Sequence, residues 1–355
     1  MQTIDINASD TGLKHLSFSA IRDYLRNPRL FRKRWIDHDF NSEPVLALIE
    51  GSAFHAGVEV YWGQIYAGVH LDTKNKRGIQ IDVDEMKAHA LRKTEMECSK
   101  GAALRKRIAK KDLPNYEGCT IDCEITQTKT GRKSEIYYLV MTPDAIAKGI
   151  DEALERYVEQ RDHMVYIPLA IELAHTALTI DPETGKEHPF PLKARVDLIA
   201  KHGDELVIVD HKYNGDDPGE DEDGNLIATP AMKLQAACYV SIAPAFLKEL
   251  GIEGEINTVI FDIMNKKTCK MSQVRVEVGE KESVMWARIF RGVQQAILLA
   301  YAVGDYNGAF LPNPDDWSQD GWLEFERDVE FSLSGGEPVR KALNEPSEEY
   351  EAYDL

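Results

Sequence analysis

The sequence predicts an α/β protein, a central mixed sheet flanked by helices, on three observations. Residues 166–180, 190–200 and 205–213 are rich in β-forming residues, and the turn-forming stretches DPETGKEHP and KHGD separate them, as in an antiparallel meander. The stretches before the meander repeat apolar residues at helical spacing. After it, helical and strand patterns alternate: a helix over 231–243, strands near 256–264 and 273–278, and a long helix over 281–303.

The early elements follow from their residues in order. Positions 1–15 read as a flexible N-terminus, and 16–165 as a helical region. In its first helix Phe18, Ile21, Tyr24 and Leu25 share a face, Ser17 or Ser19 is placed to cap, and Asn27-Pro28 breaks or restarts the helix before Phe31 and Trp35. Helical patterns then cover 46–66, 84–111 and 143–161. The second of these ends in a basic cluster around Arg105, Lys106 and Arg107. Residues 166–310 form the sheet-containing core, and 311–355 an acidic C-terminal segment, partly disordered.

Composition narrows the class. The 355 residues are 43% hydrophobic and 29% charged, ordinary for a globular protein. No apolar run approaches the length of a membrane span, and the polar, acidic first residues lack the layout of a signal peptide, so a cytoplasmic protein without membrane contact is expected. Five cysteines, Cys98, Cys119, Cys123, Cys238 and Cys269, are odd in number and scattered, which argues against a disulfide framework. The net charge of −18 at first disfavours a nucleic-acid partner. Most of it, however, resides in the last forty residues and in the loop 216–223, leaving the remainder nearly neutral and able to carry basic patches.

Chemistry concentrates in ARVDLIA and VIVDHKY. Asp197 and Asp210 sit inside apolar runs, where a carboxylate is costly to bury unless it is paired or bound to a cation. Strands joined by a short turn can set the two side by side, and a divalent cation is then the natural partner. Lys212, two residues beyond Asp210, points to the same face of its strand. Such a set suits Mg²⁺ or Mn²⁺ and the hydrolysis of a phosphodiester by an activated water. A structural ion pair between Asp210 and Lys212 is the plainer alternative.

Four motifs in order over about residues 16–250 resemble the PD-(D/E)XK nuclease superfamily, specifically its RecB-like exonuclease branch. LSFSAIRDYLRNPRLFRKRW resembles the opening Ser-x-x-x-x-Tyr-x-x-x-Pro-x-x-Phe helix, and GSAFHAGVE the Gly-x-x-x-His segment. The two Asp motifs match Asp and Asp-x-Lys, and LQAACYV the Gln-x-x-x-Tyr helix. The resemblance implies a restriction-endonuclease-like core. It assigns catalysis to Asp197, Asp210 and Lys212, metal ligation to His55, Asp197 and Asp210, and contact with the DNA strand or the catalytic residues to Gln235 and Tyr239. Read alone, His55 fits an ordinary helix histidine. As a ligand its imidazole must be neutral, so activity should fall at acidic pH. Glu172 is either an additional catalytic carboxylate or a surface strand glutamate. Many members of the branch hold an iron–sulfur cluster; RNPRLF and FLPNPDDWSQDGW lack the cysteines, so none is expected here, and ordinary packing, with Trp317 and Trp322 available, must join the two ends.

The basic residues Arg22, Arg26, Arg29, Arg32 and Lys33 are candidate phosphate contacts, with Tyr24, Phe31 and Trp35 available for stacking; Arg105–Arg107 are further candidates. The acidic loop lacks the ligand spacing of a calcium loop and reads as a mobile, solvated segment at the edge of the site. The acidic C-terminus could cover the basic groove as a DNA mimic. The expectation is a Mg²⁺- or Mn²⁺-dependent deoxyribonuclease acting on single-stranded or duplex DNA ends in phage or bacterial recombination or repair, with a recombination or single-strand-annealing protein as a possible partner. An endonuclease with the same centre and a non-catalytic DNA-binding module are the rivals. Oligomeric state is not legible.

Overall fold

The computed structural model describes residues 11–38, 46–70, 79–99, 104–116, 120–127, 133–161, 165–215, 217–221, 226–303 and 310. The first ten residues, Trp317, Trp322, the acidic C-terminal segment and positions 216, 222 and 223 of the acidic loop lie outside them. In chain order the elements are β1 (Leu16–Ser17), α1 (Phe18–Arg26), α2 (Pro28–Phe31), a π-helical turn (Arg32–Ile36), α3 (Leu46–His70), α4 (Val83–Cys98) and β2 (Leu104–Ile108). A 3₁₀ turn (Lys110–Tyr116), β3 (Ile121–Gln127), β4 (Lys133–Met141), α5 (Pro143–Gln160), β5 (Ile167–Ala177), β6 (Leu192–His202) and β7 (Glu205–Asn214) follow. The chain continues through α6 (Pro230–Leu250), β8 (Ile256–Asn265), β9 (Met271–Glu277) and α7 (Glu280–Val303).

The main sheet is mixed. Strands β5, β6 and β7 form the antiparallel meander, β7 and β8 pair in parallel across the α6 crossover, and β9 returns antiparallel. Alternation along β7 sends Ile208 to one core, with Phe190, Phe246, Phe261 and Phe290, beneath α6 and α7. Val207 and Val209 face the other core, with Phe54, Trp62 and Tyr157, beneath α3 and α5. Helices therefore cover both faces of the sheet.

Capping fixes where helices begin. Ser17 Oγ accepts from the Ala20 N–H at 3.2 Å to start α1. Thr229 caps α6 ahead of Pro230, whose missing N–H costs nothing at that position. The α6 helix does not stop at residue 243 as its sequence suggests. It runs through Pro244 because Phe246 and Leu247 remain buried in the core, and it ends where Gly251 adopts φ 65°. Gly57 lets α3 approach α5: a Cβ there would lie 2.7 Å from a Leu154 methyl.

Two further expectations need correction. Residues 84–111 are not one helix: α4 ends at Cys98, and Leu104–Ile108 is a strand of a second sheet, ordered β2-β4-β3. Leu104 and Ile108 are four residues apart, a spacing that suits a helix and a strand equally, and pairing with the distant β4 decides between them. The opening basic segment is also less exposed than its composition suggests. Arg29 and Phe31 are wholly buried, so neither can meet DNA from this position. Phe31 instead stacks on Phe310 at 6.2 Å, with Tyr24 edge-on to both rings. This aromatic cluster, together with the Tyr301 hydroxyl donating to the Thr11 carbonyl, ties the N-terminal segment to the end of the described chain.

Candidate active site

The site lies where the main sheet forks. The β6–β7 ladder runs from His202↔Glu205 to Leu198↔Val209, so the next position in register opposes Asp197 to Asp210. On the other side, Ile171↔Leu198 and Leu173↔Val196 bracket Glu172 against Asp197. Continued by one position, both registers bring the three carboxylates to one row across three strands, although neither Glu172 nor Asp197 is ladder-paired there and the strands open at this row. Pairing of β6 with β7 stops at this row. The His211 N–H donates to Asp197 Oδ2 at 2.7 Å, a side-chain oxygen serving where the ladder has ended. Glu172 has φ 49°, a left-handed conformation within a strand, with an energetic cost of about 1–3 kcal/mol.

Asp210 is 2% exposed and held on every side. Its Oδ1 accepts from Tyr239 Oη at 2.9 Å and Gln235 Nε2 at 3.0 Å, and its Oδ2 faces Lys212 Nζ at 2.7 Å. Gln235 also donates to Tyr239 Oη at 2.8 Å. Both α6 residues therefore act on the Asp-x-Lys strand, through Asp210. Burial, and next the charge of Asp210, push the Tyr239 phenol well above its ordinary range, so it remains a proton donor to that carboxylate.

His55 comes from α3 on the other side of the fork, its Nδ1 3.4 Å from Asp197 Oδ2. Partial burial in the cleft strips water from the ring, and this desolvation lowers its pKa despite the attraction of Asp197, leaving the imidazole neutral and able to ligate a cation. Desolvation pushes the Asp197 carboxyl up, but the positive field of its neighbours, Lys212 included, and the hydrogen bond from the His211 N–H outweigh it, and the group is held below the ordinary carboxylate range. Glu172 goes the other way: desolvation first, then Asp197, pushes it up to about 8, although Arg195 Nε lies 3.1 Å from its Oε2.

Ligand atoms of His55, Glu172 and Asp197 all lie within 4.8 Å of one another. One imidazole nitrogen and two carboxylate oxygens at that separation fit a single divalent ion of the Mg²⁺ or Mn²⁺ kind. Asp210 is not one of this triplet: Gln235 and Tyr239 engage its Oδ1, and its buried Oδ2 faces Lys212. The pKa of Glu172 has a testable consequence. Below pH 8 the folded, metal-free protein holds this proton more tightly than the unfolded chain. The resulting stability is complete below the ordinary carboxylate range and is lost as pH rises through about 8. A cation must displace the proton, so binding at about pH 6.5 should release about one proton, and affinity should climb as pH rises. Titration calorimetry with Mn²⁺ in buffers of different ionisation enthalpy measures this; heats independent of buffer would contradict it.

Sequence reasoning overlooked three neighbours. Arg195 pairs with Glu172 and lies two residues before Asp197, hence on the same side of its strand. Glu59 lies one helical turn beyond His55 and adds to the negative field on Glu172; that i, i+4 spacing was a usable signal. His211 supports Asp197 through its backbone, which no side-chain pattern reveals. Among the basic residues proposed to meet DNA, Arg22 is exposed, Arg26 and Lys33 are partly exposed, and Arg32 is ion-paired with Asp37 at 3.1 Å.

No curated protein matches this chain. Among solved structures, a presumed exonuclease from Eubacterium rectale is 14% identical, with a TM-score of 0.43, covering 89% of this chain and 90% of its own. A second structure, SSO0001, is also 14% identical, with a TM-score of 0.23, covering 43% of this chain and 62% of its own. Both superpositions are too loose to support any inference. No helix among the described residues is long and apolar enough to cross a membrane. The sequence profile of the PD-(D/E)XK nuclease superfamily matches residues 15–319. With that match spanning most of its length and the Asp-x-Lys strand at the fork, the chain belongs to the PD-(D/E)XK nuclease superfamily, whose members are metal-dependent phosphodiester hydrolases.

Proposed function

We propose that this protein is a Mg²⁺- or Mn²⁺-dependent deoxyribonuclease that removes nucleotides from DNA ends. The observation that carries this reading is the convergence of His55, Glu172 and Asp197 on one cation-sized space beside the Asp210–Lys212 pair. Action on ends, and a place in phage or bacterial recombination or repair beside a strand-annealing partner, rest on the RecB-like motifs. A degenerate binding module would be expected to have lost some of these side chains, and all are present.

His55, Glu172 and Asp197 would hold the ion, with Asp210 beside it. When bound, such an ion acidifies a water and offsets charge on the scissile phosphate and the departing oxygen. Lys212, 28% exposed in its side chain, reaches the cleft with its ammonium and can orient the attacking water or steady a phosphate oxygen. Asp210, 2.7 Å away, aims that ammonium, and Tyr239 and Gln235 keep Asp210 in place. Arg195, 39% exposed, is free to turn towards a phosphate once Glu172 is engaged elsewhere. Arg22, Arg26 and Lys33 are proposed backbone contacts on the approaching strand.

End-labelled linear DNA and closed circular DNA, incubated with Mn²⁺, Mg²⁺ or EDTA, separate the alternatives. Nucleotide release from linear DNA only, abolished by EDTA, is the expected result. Cutting of circles would make the protein an endonuclease, and DNA binding without metal-dependent cleavage would make it a binding module.

A further inference from the structure

We propose that the outer edge of the small sheet is a second grip on the sugar–phosphate backbone of DNA, formed by Lys106, Arg107 and Lys111; this deepens, and rests on, the reading of the chain as a DNA nuclease. In the order β2-β4-β3, strand β2 is an edge, and its three central residues, Arg105, Lys106 and Arg107, are exposed. Alternation puts Arg105 and Arg107 on one face and Lys106 on the other, so the cations straddle the edge. Lys111, also exposed, follows in the 3₁₀ turn.

The charges of this sheet are unevenly spent. Arg105 is held by Asp122 at 3.2 Å and Glu124 at 2.5 Å and lies over the Tyr138 ring. Lys110 is held by Glu135 at 2.7 Å and lies over Tyr137. Those three carboxylates are all the acidic residues that β3 and β4 contain. Lys106, Arg107 and Lys111 have no ion-pair partner among the described residues, and the nearest acid in sequence, Asp112, is half-buried. Charged residues on an edge strand also deter edge-to-edge pairing, and either sign serves that purpose. In a chain with 60 acidic against 42 basic residues, an edge carrying cations alone points to a polyanion.

The edge is fixed relative to the cleft. Leu104, the first residue of β2, is buried in the same core as Phe54, which immediately precedes His55 on α3. Two lysines and an arginine supply point charges without base readout, so the contact should be independent of sequence and sensitive to salt.

The test is fluorescence anisotropy of a labelled duplex of about 30 base pairs in EDTA, over a salt series. The triple variant Lys106→Ala/Arg107→Ala/Lys111→Ala should bind at least ~10-fold more weakly at ~0.1 M salt, with the slope of log K against log[salt] shallower by about 2–3. Its thermal midpoint and its Mn²⁺-dependent hydrolysis of bis(p-nitrophenyl) phosphate should match the wild type. The charge-preserving variant Lys106→Arg/Arg107→Lys/Lys111→Arg should keep the wild-type slope. Lys106→Ala alone, which leaves the strand otherwise intact, should change the slope by about 1. An unchanged slope in the alanine variants overturns the grip, as does self-association with unchanged DNA affinity, which would reduce the edge to a guard against pairing. Wild-type protein that neither binds nor cuts DNA overturns the nuclease reading, and the grip with it.

Discussion

Lys212→Ala should lower single-turnover DNA cleavage by about 10²–10⁴-fold at saturating metal while leaving the fold intact, the range expected for losing one positioned charge or proton-handling group. The folded protein loses little, because the ammonium is partly exposed and Asp210 keeps its hydrogen bonds from Gln235 and Tyr239. A thermal midpoint near wild type together with collapsed cleavage is therefore the signature. Lys212→Arg should recover only part of the activity, since a planar guanidinium cannot take the place of a compact ammonium 2.7 Å from the carboxylate. Cleavage by Lys212→Ala within a few-fold of wild type would reduce the Asp210–Lys212 pair to a structural ion pair, the plainer alternative that the sequence leaves open.

The largest stability effect should come from behind the site. Arg161, at the end of α5, and Asp262, on β8, form an ion pair at 2.7 Å with side chains only 4% and 1% exposed. Gln273 donates to the same carboxylate at 2.6 Å, and the guanidinium lies 4.4 Å from the Tyr166 ring centroid and 5.4 Å from that of Trp62. Removing one partner strands a buried charge, so Asp262→Ala should destabilise by about 3–5 kcal/mol, read by chemical denaturation. Replacing both, as Arg161→Met/Asp262→Leu, should return most of that, because two desolvated charges disappear together. A loss under ~1 kcal/mol for Asp262→Ala would mean that water reaches the pair. The same network reaches the cleft: Asp262 Oδ2 lies 3.5 Å from His211 Nδ1, and the His211 N–H holds Asp197. Mn²⁺ affinity measured on the folded double variant should therefore fall by about 10–100-fold, as for other groups that orient metal ligands.

Asp197, Asp210 and Lys212 were legible because strand alternation and a short turn suffice to place them. Gln235 and Tyr239 were legible as a helical pair, but not the fact that both close on Asp210, which depends on how the α6 crossover lands. Glu172 could be named as a candidate; its place in the row depends on the β5–β6 register and on a positive φ, neither of which leaves a local signature. Arg29 and Phe31 misled because a basic, aromatic stretch reads alike whether its residues face solvent or core. The strand at Leu104–Ile108 was hidden by a spacing common to both periodicities, and the Arg161–Asp262 pair by a separation of 101 residues.

Crystals soaked in Mn²⁺ and measured at a wavelength where manganese scatters anomalously put the sheet fork to the most direct test. A peak within about 2.5 Å of the His55 imidazole and the Glu172 and Asp197 carboxylates is predicted, and it should vanish in Asp197→Asn crystals. A map with no peak at the fork in the wild type, or an equal peak in the variant, would contradict the assignment of this cleft as the metal-dependent centre.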